Sequence, residues 1–585
     1  MKILYTSSSK KLFFCGLFSS LVLSCIQPKK TRTNTSLSST KEESTIKLSI
    51  TKKLGELDNQ PIAKRIAFYH QLKKENFETY NFENEDELTM YGYRHLWSNQ
   101  LTDALEIFKL IVSQFPNSSN PYDSLGEAYL ALGDSISSLK NYQKSLALNP
   151  NNFNAEDQIE NIKNPYKKRL TPKEKLSKVF SKKDYTEDLD QLGKKLIEVN
   201  PSALKFISRK DFHKTIENKK ALLTERTTFG EFIWHCSEII ANVNCSHTSM
   251  GEFYTESEML QHSQKFPLKT RWVDGKLLVI DVFANANKVA IQDEIISING
   301  ILIAQIVKEI FNHISTQGNI ETPKAHYFYQ WSSDLITYAL NFPNTYTIQV
   351  KGKELPIALN SSKNIPTPFA DNHIDTCDDG LCFEQIDENT ALLTVATFNY
   401  YPWNNLEVFQ NFIDKSFKTL AEKKIKNLII DVRSNGGGSP ESSIYLLKYL
   451  VSMPFEYFIS NPNSSGYGSQ KPFPNNYKGN VYFLMDGRGE STTGHFMAIA
   501  KDLKLGTIIG EELGSNQFCT AGQTVLRLSN TKLIYNVANV VSKLATTSFS
   551  DEIGILPDHT ISPSIEDFTN RIDTVKKYAI QLIND

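Results

Sequence analysis

Three absences bound the reading of this chain. It has no excess of charge: 585 residues carry a formal net charge of −1 at pH 7 with 22% charged residues, so bulk electrostatics imply neither nucleic acid nor an acidic substrate. Its seven cysteines show no zinc-type spacing, which removes the usual structural metal modules. The apolar segment Leu12 to Ser24 is too short to span a bilayer as a permanent helix. What is present, 40% hydrophobic and 11% aromatic residues, describes ordinary globular structure. The length exceeds one core, and about three domains is the expectation.

The amino terminus reads as an address. Lys2, Lys10 and Lys11 precede the apolar segment, which ends VLSC with Ser24 directly before Cys25. This resembles the lipobox of bacterial lipoproteins and implies lipidation of Cys25, with the protein held on the periplasmic side of a cell membrane, the outer membrane being expected. Residues 26–46, rich in Ser, Thr and Lys, read as a flexible tether. In an oxidising compartment a small disulfide between Cys377 and Cys382, in DTCDDGLC, is feasible. Cys236 and Cys245 are a second candidate pair, and Cys519 is expected buried and unpaired.

An internal repeat follows, within a helical domain assigned to 47–163. A shift of 34 places Gly92 over Gly126, His95 over Tyr129, Ala104 over Ser138, Phe108 over Tyr142 and Pro116 over Pro150. The second copy resembles a tetratricopeptide repeat, which implies either docking of a protein partner or a brace. A basic linker, 164–184, leads to helical patterns over 185–262 that end at Asn244-Cys245-Ser246-His247-Thr248. The next stretch, 263–360, contains QDEIISING and resembles a PDZ-type module, with Gln292 where that fold usually has glycine. Such modules add a peptide as a strand to a sheet edge.

The remainder, 361–585, is organised around two strand-to-helix turns. LIIDVRSNGGGSP runs from a β-branched strand into Gly436-Gly437-Gly438 and a helical pattern; VYFLMDGRGESTTGHF does the same and places Ser491 at a helix start. Side by side, these turns offer amides and a hydroxyl, the pair that acyl transfer needs. Aromatic clusters at 327–331 and 398–403 line either a substrate cleft or the core.

Helical cap, His-Thr, PDZ-like segment, D-x-R-x-N-G-G strand and serine at a helix start, in that order, resemble the tail-specific serine peptidases, whose branches include the carboxyl-terminal processing peptidases and the tricorn core. Asp431 to Gly437, Met485 to Ser491, and Glu552 to Asp558 carry the likeness. It implies a mixed α/β fold: an αβ-sandwich catalytic domain with an inserted PDZ-like β module, after the helical repeat domain. The processing branch uses a lysine about two dozen residues after the serine; here that place reads GEELGSNQF, without lysine, and Lys501 and Lys504 lie on and just past the helix. The tricorn-like branch instead implies Ser491 as nucleophile, His247 as base, and Ser246 and Glu552 as relay.

The chemistry agrees: serine is a weak nucleophile until a base takes its proton, and histidine suits neutral pH. The amide of Gly436 or Gly437 and that of Thr492 are expected to hold the oxyanion. His495, one turn past Ser491, stands as an alternative base or a surface residue, and Glu490 beside the nucleophile as a group that raises the histidine pKa if it points inward. Activity is expected to fall below an apparent pKa of roughly 6 to 7. No metal or organic cofactor is required. The reading is an exported serine endopeptidase; a noncatalytic peptide-binding scaffold and a hydrolase of esters or cell-wall crosslinks are the alternatives.

Overall fold

The computed structural model describes residues 47–168, 170–250, 259–369, 377, 380–400, 406–460, 464 and 466–585. Cys25, the address segment, the tether and residues 401–403 of the second aromatic cluster lie outside the described residues. Among the described residues no helix is long and apolar enough to cross a membrane. They form two compact units, one of 170–399 with 410–585 and one of 47–168 with 400 and 406–409.

The smaller unit is helical. Its centre is two antiparallel hairpins, Glu85–Trp97 with Leu101–Gln114 and Asn120–Ala131 with Ser135–Leu148. The repeat is visible in their packing. A Cβ on Gly92 would meet the Phe108 ring at 2.6 Å, and one on Gly126 would meet the Tyr142 ring at 3.1 Å. Glycine therefore lets each helix approach its partner's aromatic ring at the same place in both copies. Helices Ile62–Glu75 and Phe153–Lys163 flank the pair.

The larger unit contains two six-stranded sheets. The first has the order Leu381–Gln385, Thr390–Val395, Asn427–Asp431, Asn480–Met485, Thr507–Gly510, His559–Thr560. Its first pair is antiparallel and the rest are parallel. Leu428, Ile429 and Ile430 are wholly buried, as strands covered on both faces must be. Period-two alternation divides the faces. Ile429, Leu484 and Ile509 pack with Val575 and Ala579 of helix Thr574–Asn584, while Phe483 meets Phe496 of helix Thr492–Asp502. Because Asn427–Asp431 and Asn480–Met485 are adjacent and parallel, with Asp431 opposite Leu484, both strand-to-helix turns emerge at one sheet edge.

The arginine of the D-x-R signature has a structural role. Arg433 donates Nε to Asp431 at 2.9 Å and Nη2 at 2.6 Å, and it grips Asp573 through Nη1 and Nη2, each at 2.7 Å. Asp573 in turn caps helix Thr574–Asn584 by accepting the Lys576 amide. One buried guanidinium thus ties the end of a central strand to the helix covering that face.

The second sheet runs Lys269–Val273, Lys276–Asp281, Glu294–Ile298, Thr347–Val350, Ile357–Ala358, all antiparallel, with Ile301–Leu302 pairing off its third strand. Gln292, standing where the PDZ-type core usually has glycine, adopts φ 71°, a left-handed conformation that favours glycine. Strand Ser249–Met250 instead joins Ile534–Val537 and Thr524–Arg527, so the loop carrying His247 is sewn to the carboxyl-terminal part of the unit.

Two expectations are refined. The 164–184 stretch is not all linker: helix Pro172–Leu176 forms behind a Thr171 capping box, with Leu176 buried, and helix Lys182–Val199 begins within it. Cys236 and Cys245 are separate free thiols, as is Cys519, whereas Cys377 and Cys382 are joined.

Replacing Arg433 by Met would leave two carboxylates facing each other without their cation. We expect a loss of ~3–5 kcal/mol, read as a lower denaturant midpoint for the larger unit; a change below ~1 kcal/mol would show the fork to be dispensable.

Candidate active site

The two turns meet at Asn435, which is wholly buried. Its Nδ2 donates to the Val395 carbonyl at 2.9 Å and its Oδ1 accepts the Gly437 amide at 2.9 Å. Its own carbonyl accepts the Glu490 amide at 3.1 Å and the Thr493 hydroxyl at 2.8 Å. Thr492 adds a bond from its hydroxyl to the Gly438 carbonyl at 2.6 Å. Asp486 closes the other side, accepting the amides of Ser434 and Arg488. Burial pushes the Asp486 carboxyl up, but Arg488, His326 and the Ser434 amide together outweigh it and hold it below the usual range.

Gly437 is obligatory at this seam. It has φ 92°, and a Cβ there would lie 2.7 Å from the Glu490 carbonyl oxygen, 2.8 Å from Ser491 Cβ and 2.9 Å from the Thr492 nitrogen. Ser491 itself sits at φ 55°, ψ −120° immediately before helix Thr492–Asp502, a strained position for a residue with a side chain, of a kind found at functional turns.

The expected oxyanion donors separate into two kinds. The Gly437 amide is committed to Asn435. Gly436 has open space around it, with nothing within 4 Å of an added Cβ, and Thr492 opens the helix, where amides lack intrahelical acceptors. Among the described residues neither the Gly436 nor the Thr492 amide donates a hydrogen bond, so these two are the candidates to receive a developing charge.

His247 is placed by Thr248. The loop turns at Asn244, with φ 51°, and the wholly buried Thr248 hydroxyl receives the Ala538 amide at 3.1 Å and Asn200 Nδ2 at 3.3 Å. Gln523 Nε2 holds the His247 carbonyl at 2.9 Å. Nδ1 of His247 lies 3.4 Å from Ser246 Oγ and 3.9 Å from Cys519 Sγ. Burial lowers His247 to about 4.

Cys519 is the residue that sequence reasoning missed. Its buried thiol is in hydrogen-bond contact with Ser491 as well as beside His247, and burial pushes it up to about 12. No hydrogen bond joins Ser491 to His247 directly among the described residues; both meet the same thiol. Only the tertiary pairing of Phe518–Ala521 with Val540–Lys543 brings Cys519 here, and nothing local in the sequence signals it.

The carboxylates are distributed differently from expectation. Glu552 is exposed, with its backbone oxygen bonded to the Asn319 amide at 2.8 Å and its carboxylate 3.5 Å from Asn319 Nδ2; the structure does not bring it to Ser246. Glu490 instead shares a cavity of 190 Å³ with Ser246, Ser249, His313 and Tyr327, and burial pushes its carboxyl up to about 7. His495, expected as an alternative base or a surface residue, does not lie at the surface. It is buried edge-on to Tyr457 and Phe458 with both ring nitrogens unpartnered among the described residues, and burial, then the nearby His247, lowers it to about 4. Lys501 reaches the Leu556 carbonyl and Asp558, away from the serine. Of the aromatic clusters, Phe328, Tyr329, Trp331, Phe398 and Tyr400 are core residues, and Tyr327 lines the cavity.

Residues 389–561 match the model of peptidase family S41. No curated protein matches the chain. Among solved structures, mature CPAF is similar at 15% identity and TM-score 0.46, covering 69% of this chain and 98% of its own. The photosystem II D1 C-terminal processing protease is similar at 14% identity and TM-score 0.33, covering 66% and 96%. A putative peptidase from Parabacteroides merdae is similar at 14% identity and TM-score 0.37, covering 69% and 96%. At these scores the structural likenesses assign nothing further, and the family match stands for itself.

The buried thiols yield a direct check. In the folded chain from Ile26 onward, Cys236, Cys245 and Cys519 should all resist a disulfide reagent at pH 8, and all three should react once the protein is unfolded. Fast labelling of Cys519 in the native protein would contradict its enclosure between Ser491 and His247.

Proposed function

We propose that this chain, a serine-type peptidase of family S41 whose substrates are proteins or peptides, is an exported, lipid-anchored endopeptidase that uses Ser491 as nucleophile and His247 as base. The observation that carries the reading is the strained Ser491 at a helix start, beside a glycine turn whose Gly436 amide donates no hydrogen bond among the described residues. Ser491 Oγ turns from Cys519 towards Nε2 of His247, gives up its proton and attacks the scissile carbonyl. The amides of Thr492 and Gly436 receive the oxyanion; His247 then protonates the leaving amine, and water clears the acyl-enzyme. Ser246 Oγ, on the Nδ1 side, steadies the ring.

The family resemblance gives the far carboxylate of the relay to Glu552. The shared cavity favours a second reading in which Glu490 takes that place, since it and Ser246 line one space. Comparing Glu552→Gln with Glu490→Gln separates the two: the larger fall in kcat identifies the relay member. The helical repeats serve docking of a protein partner, and the PDZ-like sheet recruits an extended peptide. The lipid at Cys25 keeps the enzyme at the periplasmic face of a membrane.

The decisive comparison uses the chain from Ile26 and its Ser491→Ala variant with a mixed peptide library read by mass spectrometry. Cleavage by the first alone is expected. Peptide retention without cleavage by either would favour the scaffold, and turnover of small esters without peptides the alternative hydrolase.

Burial also moves the expected pH profile. With His247 lowered to about 4, the base is neutral and competent at any pH above that value, so kcat/KM should persist from pH 7 to pH 5 and fall only nearer pH 4. Half-loss near pH 6.5, the ordinary histidine value, would show that the ring is solvated in the working enzyme.

A further inference from the structure

Away from the nucleophile, one side-chain cluster has the composition and support of a metal centre. Helix Ile303–Phe311 carries Glu309, and His313 lies just past its end, its Nε2 beside the Glu309 carboxylate. Helix Phe229–Ala241 supplies Glu238. His313 Nε2 is 3.2 Å from Glu309 Oε1 and 3.5 Å from Glu238 Oε2, and the three donor atoms all lie within 4.8 Å of one another. A tetrahedral ion with bonds of about 2.1 Å sets its donors about 3.4 Å apart, close to the two short separations found.

Each donor is held by a partner behind it. Ser237 donates its hydroxyl to the Trp234 carbonyl at 2.9 Å, which leaves its oxygen to accept Nδ1–H of His313 at 2.8 Å. That fixes the tautomer and presents Nε2 as a lone pair. The His313 ring is stacked on Trp234 with centroids 3.5 Å apart, and the Trp234 side chain also donates to Glu309. Glu238 is bonded to Lys219. One turn before Glu238, His235 adds a buried Nδ1 without a hydrogen-bond partner among the described residues.

We propose that Glu238, Glu309 and His313 form a binding site for a zinc-type divalent cation, in which the Lys219 ammonium is the resident placeholder that the ion displaces. One imidazole and two carboxylates suit zinc and leave room for water. The ion would pin helix Phe229–Ala241 to helix Ile303–Phe311. His313 and Ser237 also line the cavity that holds Ser246 and Glu490, so the site braces a wall of that cavity and takes no part in the acyl chemistry.

The test uses the tag-free chain from Ile26 after chelator treatment, titrated with zinc chloride by calorimetry, with thermal melting alongside. One equivalent of zinc should bind and raise Tm. Glu309→Gln, at a half-exposed position that should not threaten folding, should weaken binding by at least ~10-fold, and Ser237→Ala by ~10–100-fold through loss of ligand orientation. Lys219→Met should tighten it, because the competing ammonium is gone; a purely structural ion-pair cluster would only lose stability. Absence of a stoichiometric zinc, equal binding by Glu309→Gln, or no tightening in Lys219→Met would each overturn the proposal.

Discussion

The packing of one turn against another through the side chain and carbonyl of Asn435 is the interaction on which this site depends. A buried amide is costly unless every polar atom is engaged, and here Nδ2, Oδ1 and the backbone carbonyl all are. Those bonds join three adjacent strands' ends: the Val395 carbonyl, the glycine turn and the start of the nucleophile helix. The strain at Ser491 persists because this network over-determines the turn. It also engages the Gly437 amide, which is why the proposed oxyanion donors are Gly436 and Thr492.

Charge is handled in two opposite ways around the sheet. Where it supports architecture it is kept and paired, as in the Arg433 fork between Asp431 and Asp573 and the Arg488 clasp on Asp486. Where chemistry is expected it is suppressed: burial alone lowers His247 to about 4 and lifts Glu490 to about 7, while Cys519 is pushed to about 12. The proposed nucleophile Ser491 and base His247 are half-buried, as is Glu490, with only the Cys519 thiol fully buried, and near neutral pH the imidazole and the thiol are uncharged. In such surroundings a single developing charge, on the oxyanion or the imidazolium, interacts strongly with whatever dipoles face it. The cluster at His313 belongs to the first regime, since its Glu238 carboxylate is paired with Lys219.

Much of this protein was legible in its sequence because the signals were local. The β-branched runs ending at Gly436 to Gly438 and at Gly487 to Ser491 declared two strand-to-helix turns through composition alone, and the structure sets them on adjacent parallel strands. The shift of 34 announced paired helical hairpins, because a glycine opposite an aromatic ring must recur wherever the same close approach recurs. The five-residue spacing of Cys377 and Cys382 was short enough for a disulfide to be read from the loop itself. The likeness to the peptidase family rested on motifs of the same short-range kind.

What tertiary structure alone decided concerns groups far apart in the chain. No pattern near Cys519 says that its thiol lies between Ser491 and His247, 28 and 272 residues away in sequence. Glu552 sits in a recognisable motif, yet its carboxylate is exposed beside Asn319, while Glu490 lines the cavity with Ser246. The sequence by itself determined which elements form and which chemistry they carry, because helix, strand and turn preferences act over a few residues. Which carboxylate faces the relay, which amide remains unengaged and which histidine is buried were decided only on folding, because burial and charge depend on neighbours supplied by distant segments.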